Sequence, residues 1–195
     1  MNGKWSINSF MSYFTVSTKK YTYNEFEPFF TGAVKISLTK EAEEKIIRSH
    51  NNLLNNLKTE KPIYGVNTGY GNLSNISIQG KDLERLQINL IRSHASGIGD
   101  PLDLGIVRTI IVLKLLTFAK GYSGVSLELV KKIIQLLNKD IIPVIPKRGS
   151  VGASGDLAPL GHMALILIGE GEVFFEGKRL KTVSALKKVK IKPLS

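Results

Sequence analysis

Residues 149–165 read Gly149-Ser150-Val151-Gly152-Ala153-Ser154-Gly155-Asp156-Leu157-Ala158-Pro159-Leu160-Gly161-His162-Met163-Ala164-Leu165, a glycine-rich run that passes directly into an apolar one. The second half has the marks of a helix. Asp156 is placed to cap it, Pro159 sits in its first turn, where a missing amide costs nothing, and Gly169 is its stop. The first half imitates two phosphate- or nucleophile-bearing loops and is neither. It lacks the Gly-Lys-Ser/Thr ending of a P-loop, and no Gly-x-Gly-x-x-Gly occurs in the chain. It is not a Gly-x-Ser-x-Gly elbow, because Asp156 takes the final position. What remains is Ala153-Ser154-Gly155 at the mouth of a helix.

Outward from this stretch the pattern is mainly helical. Thr39 is placed to cap a helix over residues 41–57, with Glu41, Glu43 and Glu44 at the positive end of its dipole. A glycine-punctuated loop follows, Tyr64-Gly65-Val66-Asn67-Thr68-Gly69-Tyr70-Gly71. Asp82 is read as the cap of a helix with the stripe Leu83, Leu86, Leu90 and His94, stopped by Gly97. An apolar helix is expected from Leu102 to Lys120, and Ser126 caps another reaching Asn138. Pro143 and Pro146 force an extended segment. Val173-Phe174-Phe175 and the residues after Gly177 read as a small hairpin, with a last short helix over Val183 to Val189. Residues 1–38, rich in aromatics, suit short strands or irregular packing. One or two minor strand pairs complete a mainly α fold.

The chain has 195 residues, a composition that is 43% hydrophobic and 22% charged, and no cysteine. Disorder throughout is excluded, as are a disulfide framework, a thiolate metal site and a cysteine nucleophile. No run at the start has the length of a signal peptide, and Arg108 and Lys114 interrupt the most apolar stretch, so the expectation is a soluble cytoplasmic protein with no membrane partner. The net charge of +11 is concentrated after Glu176, where seven basic residues follow with no acid. That tail has no aromatic after Phe175 on which bases would stack, so it reads as a solvated face rather than a specific nucleic-acid surface.

The three histidines, at 50, 94 and 162, are too far apart for a local metal site, and no metal is expected. His50 reads as a surface residue and His162 as a packed, hydrogen-bonded structural one. His94, at a helix end in Ser93-His94-Ala95-Ser96-Gly97, is a candidate functional residue. Ser184-Ala185-Leu186-Lys187 matches Ser-x-x-Lys by chance on a charged tail.

Three motifs in order, Tyr64-Gly65-Val66-Asn67-Thr68-Gly69, Asn89-Leu90-Ile91-Arg92-Ser93-His94 and Ala153-Ser154-Gly155-Asp156-Leu157-Ala158-Pro159-Leu160, resemble the histidine/aromatic amino-acid ammonia-lyase family. The resemblance covers residues 21–195, the amino-terminal catalytic-motif region, and leaves 1–20 as a variable extension. It implies that Ala153-Ser154-Gly155 cyclises on its own. The Gly155 nitrogen attacks the Ala153 carbonyl, two waters leave, and the product is 4-methylidene-imidazol-5-one, its methylene derived from the Ser154 β-carbon. The residue types suit this: Gly155 has no side chain to block the attack, Ser154 supplies a leaving hydroxyl, and Ala153 fits a tight bend. The backbone thereby becomes an electrophilic cofactor.

The resemblance further implies Tyr64 as the catalytic base on a glycine-hinged loop, and His94 as a substrate-binding residue of the kind that contacts an imidazole. Gly161-His162-Met163-Ala164-Leu165 and Gly169-Glu170-Gly171-Glu172-Val173 are similar to the histidine-specific members. The implied reaction is elimination of ammonia from L-histidine to give trans-urocanate. The alternatives are a tyrosine 2,3-aminomutase or another aromatic lyase with the same cofactor, or a non-catalytic binding or pairing module. Members of the family are more than twice as long, draw further site residues from later sequence, and form homotetramers through a long-helix bundle. The chain is therefore read as a portion that stops before that bundle is complete and is inactive alone.

Overall fold

The structure, a computed structural model, describes residues 12–59, 61–69, 78, 81–152 and 157–194. Its central element is α4 (Leu104–Ala119), apolar on nearly every side. Val107, Val112, Leu115 and Ala119 are fully enclosed. The helix begins two residues later than the sequence suggests, with Asp103 in the extended N-cap position, and stops at the Lys120 C-cap. Ile106 and Leu113 remain 37% and 48% exposed, so the described residues leave part of this apolar helix uncovered.

Neighbouring elements pack around α4. Strand β1 (Ser12–Val16) pairs in parallel with β2 (Val34–Leu38), Ser12 opposite Val34 and Val16 opposite Leu38. The crossover contains a 3-10 turn at Tyr23–Phe26 and the short helix α1 (Pro28–Thr31). The aromatic residues of this region form a cluster about Phe14, whose ring centroid lies 5.3 Å from Tyr21, 5.9 Å from Phe26 and 5.2 Å from Phe29. Helix α2 (Lys40–Leu57) starts where expected, the Thr39 hydroxyl accepting from the Ala42 amide.

Helix α5 (Leu127–Asn138) is capped by the Ser126 hydroxyl, which accepts from the Leu129 amide. Its other end docks on β2. The Asn138 carboxamide accepts from the Ile36 amide at 2.6 Å and donates to the Ile36 carbonyl at 2.9 Å. The chain then reverses through Asp140 at φ +53°, with Ile141 N donating to Leu136 O and Asp140 N to Leu137 O. That is a Schellman ending built on an aspartate instead of a glycine.

The two prolines behave as read. Pro143 lies in β4 (Ile142–Pro143) and Pro146 in β5 (Pro146–Arg148), which pairs with β3 (Ile98–Pro101). The expected hairpin, β6 (Glu172–Phe175) and β7 (Lys178–Lys181), turns through Glu176 and Gly177, both at positive φ. It gains β4 as a third strand, in the order β4-β6-β7. The basic tail forms β7, the second strand of the expected hairpin, and α7 (Thr182–Lys188), the expected last helix. Arg179 reaches Glu172 and Lys188 reaches Glu176, so part of its charge is offset by acids earlier in the sequence.

Two helices carry the sequence motifs. Helix α3 (Lys81–His94) begins before Asp82, so that aspartate lies inside the first turn, where it faces the dipole, and is not the cap. It also ends at His94, three residues before the expected Gly97 stop. Helix α6 (Leu157–Leu165) tightens into a 3-10 turn at Ile166–Ile168 and closes on Gly169 at φ +80°. Among the described residues no helix is long and apolar enough to cross a membrane.

Candidate active site

The arrangement of α3 against α6 decides where the candidate groups stand. The two helices touch at a glycine. A Cβ on Gly161 would lie 2.8 Å from both the Ala95 nitrogen and the His94 carbonyl carbon, so α6 runs directly beneath the end of α3. A second close approach lies beside it. A Cβ on Gly149 would stand 2.7 Å from the Ala158 Cβ and 3.3 Å from the Gly97 Cα.

His94 is half-buried at the end of α3. Its Nδ1 lies 2.8 Å from the Leu90 carbonyl and 3.3 Å from the Ser93 hydroxyl. A carbonyl only accepts, so Nδ1 carries a proton and donates it to Leu90. In the neutral ring Nε2 is then an acceptor, free of the helix that carries it.

Tyr64 is 65% exposed, on a loop whose next residue, Gly65, has φ +72°. Buried polar side chains fix the base of that loop. The Asn67 carboxamide accepts from the Ile63 amide at 2.6 Å and donates to the Lys61 carbonyl at 3.1 Å. The fully buried Thr68 hydroxyl accepts from Gly65 N and donates to Gly69 O. The loop is joined to α3 through Gln87, which donates to the Val66 carbonyl at 3.4 Å. Helix α3 is thus attached both to the Tyr64 loop and to His94. Tyr70 and Gly71 lie outside the described residues.

Ala153, Ser154, Gly155 and the proposed cap Asp156 also lie outside the described residues. The groups on either side of them are joined, Ala158 N donating to Ser150 O at 2.8 Å.

Three contacts of this region were missed by reading the sequence. The Gly97 amide donates to His162 Nε2 at 3.0 Å, and burial pushes the His162 pKa down, favouring the neutral ring that can accept. Arg92 pairs with Glu170, joining two of the quoted motifs. Gln87 carries no motif of its own. His50, read as a surface residue, is partly buried, its Nδ1 2.8 Å from the Gly124 carbonyl. No group of three His, Asp or Glu side chains suited to a metal occurs among the described residues.

Comparison with known proteins matches residues 21–195 to the family model described as aromatic amino acid lyase. The chain is 47% identical over 157 residues to the histidine ammonia-lyase of Bacillus subtilis, an alignment covering 80% of this chain and 31% of that protein. Among solved structures, histidine ammonia-lyase from Trypanosoma cruzi superposes with a TM-score of 0.84 at 30% identity, covering 95% of this chain and 36% of that one. Tyrosine aminomutase from Streptomyces globisporus superposes with a TM-score of 0.85 at 34% identity, covering 93% and 34%. The chain spans about a third of the length of the curated relatives it matches.

Proposed function

Because the chain belongs to the aromatic amino acid lyase family, we propose that it supplies the tripeptide, the tyrosine loop and a substrate-binding helix end to an enzyme that eliminates ammonia from L-histidine to give trans-urocanate. The observation that carries this reading is the 2.8 Å approach of His94 Nδ1 to the Leu90 carbonyl, an acceptor only, which assigns the ring proton to Nδ1. It leaves Nε2 to accept a hydrogen bond from a ring N–H. An imidazole offers such a donor and a phenyl ring does not. The names of the curated relatives support the same substrate.

In this reading Ala153, Ser154 and Gly155 form a methylidene-imidazolone, which when formed supplies an electrophile that no unmodified side chain offers. The tripeptide fits that group by composition. It ends three residues before Ala158, whose amide is anchored to Ser150. Tyr64 takes the β-proton of the substrate. Its loop, pinned at its base by Asn67 and Thr68, presents the phenol outward. His94 orients the ring, and active-site residues beyond this span complete the site in a homotetramer. The protein works in the cytoplasm and needs no metal.

A phenolic hydroxyl also donates, so a tyrosine aminomutase is the second reading, favoured by the structural neighbour of that name. Two measurements test the proposal. The intact mass of the chain should fall two waters below the sequence mass, and Ser154→Ala should restore the plain mass; an unmodified mass in the parent chain overturns cofactor formation. A chimera placing this chain in the matching segment of the Bacillus subtilis relative should release urocanate from L-histidine. Turnover of L-tyrosine in preference to L-histidine would overturn the substrate assignment.

A further inference from the structure

His162 lies 65 residues from Gly97 in sequence, yet its Nε2 accepts the Gly97 amide at 3.0 Å. The fit leaves no spare room. A Cβ on Gly97 would stand 3.0 Å from that same Nε2, 3.2 Å from the Arg148 carbonyl and 3.3 Å from the Pro146 Cβ. Gly97 is the third residue past His94, beyond the last helical turn, so its amide has no helical carbonyl to meet. Between them, Ala95 N donates to Ile91 O and Ser96 N to His94 O. The His162 bond is what secures the far end of this segment, and Gly161, the residue before His162, packs under its near end against His94 and Ala95. Helix α6 therefore grips residues 94–97 at both ends with two consecutive residues.

We propose that His162 is a positioning residue: as the Nδ1-protonated tautomer it holds the Gly97 amide and so sets the helix end from which His94 presents Nε2 to a ring N–H donor. The role goes beyond packing, because only an acceptor at this position satisfies Gly97. A ring of equal size without a lone pair would leave a half-buried amide without its partner. The two histidines form a chain of matched tautomers. His162 accepts through Nε2 to anchor the backbone, and His94 donates through Nδ1 to its own helix. Both rings thereby have one nitrogen committed to the scaffold. The part played by His94 rests on the functional reading above; the His162–Gly97 bond does not.

The test uses the isotope-labelled chain and nitrogen-15 NMR. The His162 ring should show the Nδ1–H tautomer, and the Gly97 amide should be protected from exchange. His162→Phe should speed exchange at Gly97 at least tenfold and shift the His94 ring resonances. His162→Gln, whose Oε1 stands near the place of Nε2, should restore protection and the His94 signals. An Nε2–H tautomer in the parent chain overturns the proposal, as does Gly97 protection unchanged in His162→Phe. If the phenylalanine variant fails to fold, the parent tautomer and the glutamine variant still decide. A chain that passes these tests while the Bacillus subtilis chimera releases no urocanate from L-histidine keeps the anchoring bond and overturns the functional reading instead.

Discussion

The Arg92 guanidinium donates to the Glu170 carboxylate through both Nε and Nη2, with Nε 3.2 Å and 3.1 Å from the two oxygens. Arg92 stands two residues before His94, and Glu170 sits in the turn leading to β6. The pair therefore ties the His94 end of α3 to the turn that leads into the hairpin.

Its pH dependence has a definite sign. The hydrogen bond from Arg92 holds the Glu170 carboxyl below its ordinary range, against a smaller opposing effect of burial. The stabilisation is present above the unfolded carboxylate pKa, near 4.3, and is lost as pH falls through the lower folded value. Arg92→Met should move the acid-unfolding midpoint, followed by circular dichroism, to higher pH. At neutral pH the loss should be small, because the two side chains are 53% and 39% exposed and water screens the pair. An unchanged acid midpoint would show that the pair adds nothing to the fold.

A larger effect is expected at Arg108, whose side chain is 8% exposed and which donates to Asp140 through Nε at 3.1 Å and Nη2 at 2.9 Å. Asp140→Ala strands that guanidinium and also places an alanine at φ +53°. Breaking a buried pair costs roughly 3–5 kcal/mol, and the 45% exposure of Asp140 places this case near the lower end. Asp140→Asn should cost less, since asparagine tolerates the left-handed region and keeps one acceptor. Urea denaturation of the two variants checks the order.

Gly105 and Gly32 provide a matched contrast. A Cβ on Gly105 would stand 2.7 Å from the Phe30 Cα, whereas one on Gly32 meets nothing within 4 Å. Gly32 has φ 174°, extended backbone open to any residue. Gly105→Ala should destabilise by about 1–3 kcal/mol through overpacking of α1 on α4. Gly32→Ala should be neutral or stabilise by about 0.4–1 kcal/mol through the unfolded chain. Melting temperatures of the two variants should move in opposite directions or leave Gly32→Ala unmoved.

What could be read in the sequence was local. Thr39 and Ser126 announce helices because a hydroxyl before an apolar run has one obvious use, and the structure has both caps. The Glu176-Gly177 turn is legible through its glycine, which stands between two strand-forming runs and takes φ +70°. The parallel pairing of β1 with β2 was not, because no short-range signal records which strand a strand meets across a crossover. The helix ends near Asn138 and Val189 were legible, but the way they close was not, since Asp140 and Lys190 are non-glycine residues at positive φ. Of the candidate site residues, His94 and Tyr64 are marked in the sequence only by the motifs on which the resemblance rests. His162 was legible as a packed, hydrogen-bonded residue, but its partner was not, because that partner is the backbone amide of a distant glycine. Thr182 remains a buried hydroxyl with no hydrogen-bond partner among the described residues, and nothing in the structure explains it.

His94 and Tyr64 should separate in kinetics when this chain is placed in the Bacillus subtilis chimera. In the proposed reading His94→Phe removes the Nε2 acceptor and leaves the substrate ring N–H without its partner, at a cost of roughly 1–3 kcal/mol. KM for L-histidine should rise about five- to 150-fold, while the penalty for L-phenylalanine, which has no ring donor, should shrink. In the proposed mechanism Tyr64→Phe removes the proton acceptor used only as the reaction proceeds, so kcat should fall roughly 10²–10⁴-fold with KM little changed. The 65% exposure of Tyr64 makes a stability effect there small, so unchanged unfolding in the same variant would isolate the loss to chemistry. Loss of KM at Tyr64 and of kcat at His94, the reverse pattern, would exchange the two roles and sink this assignment.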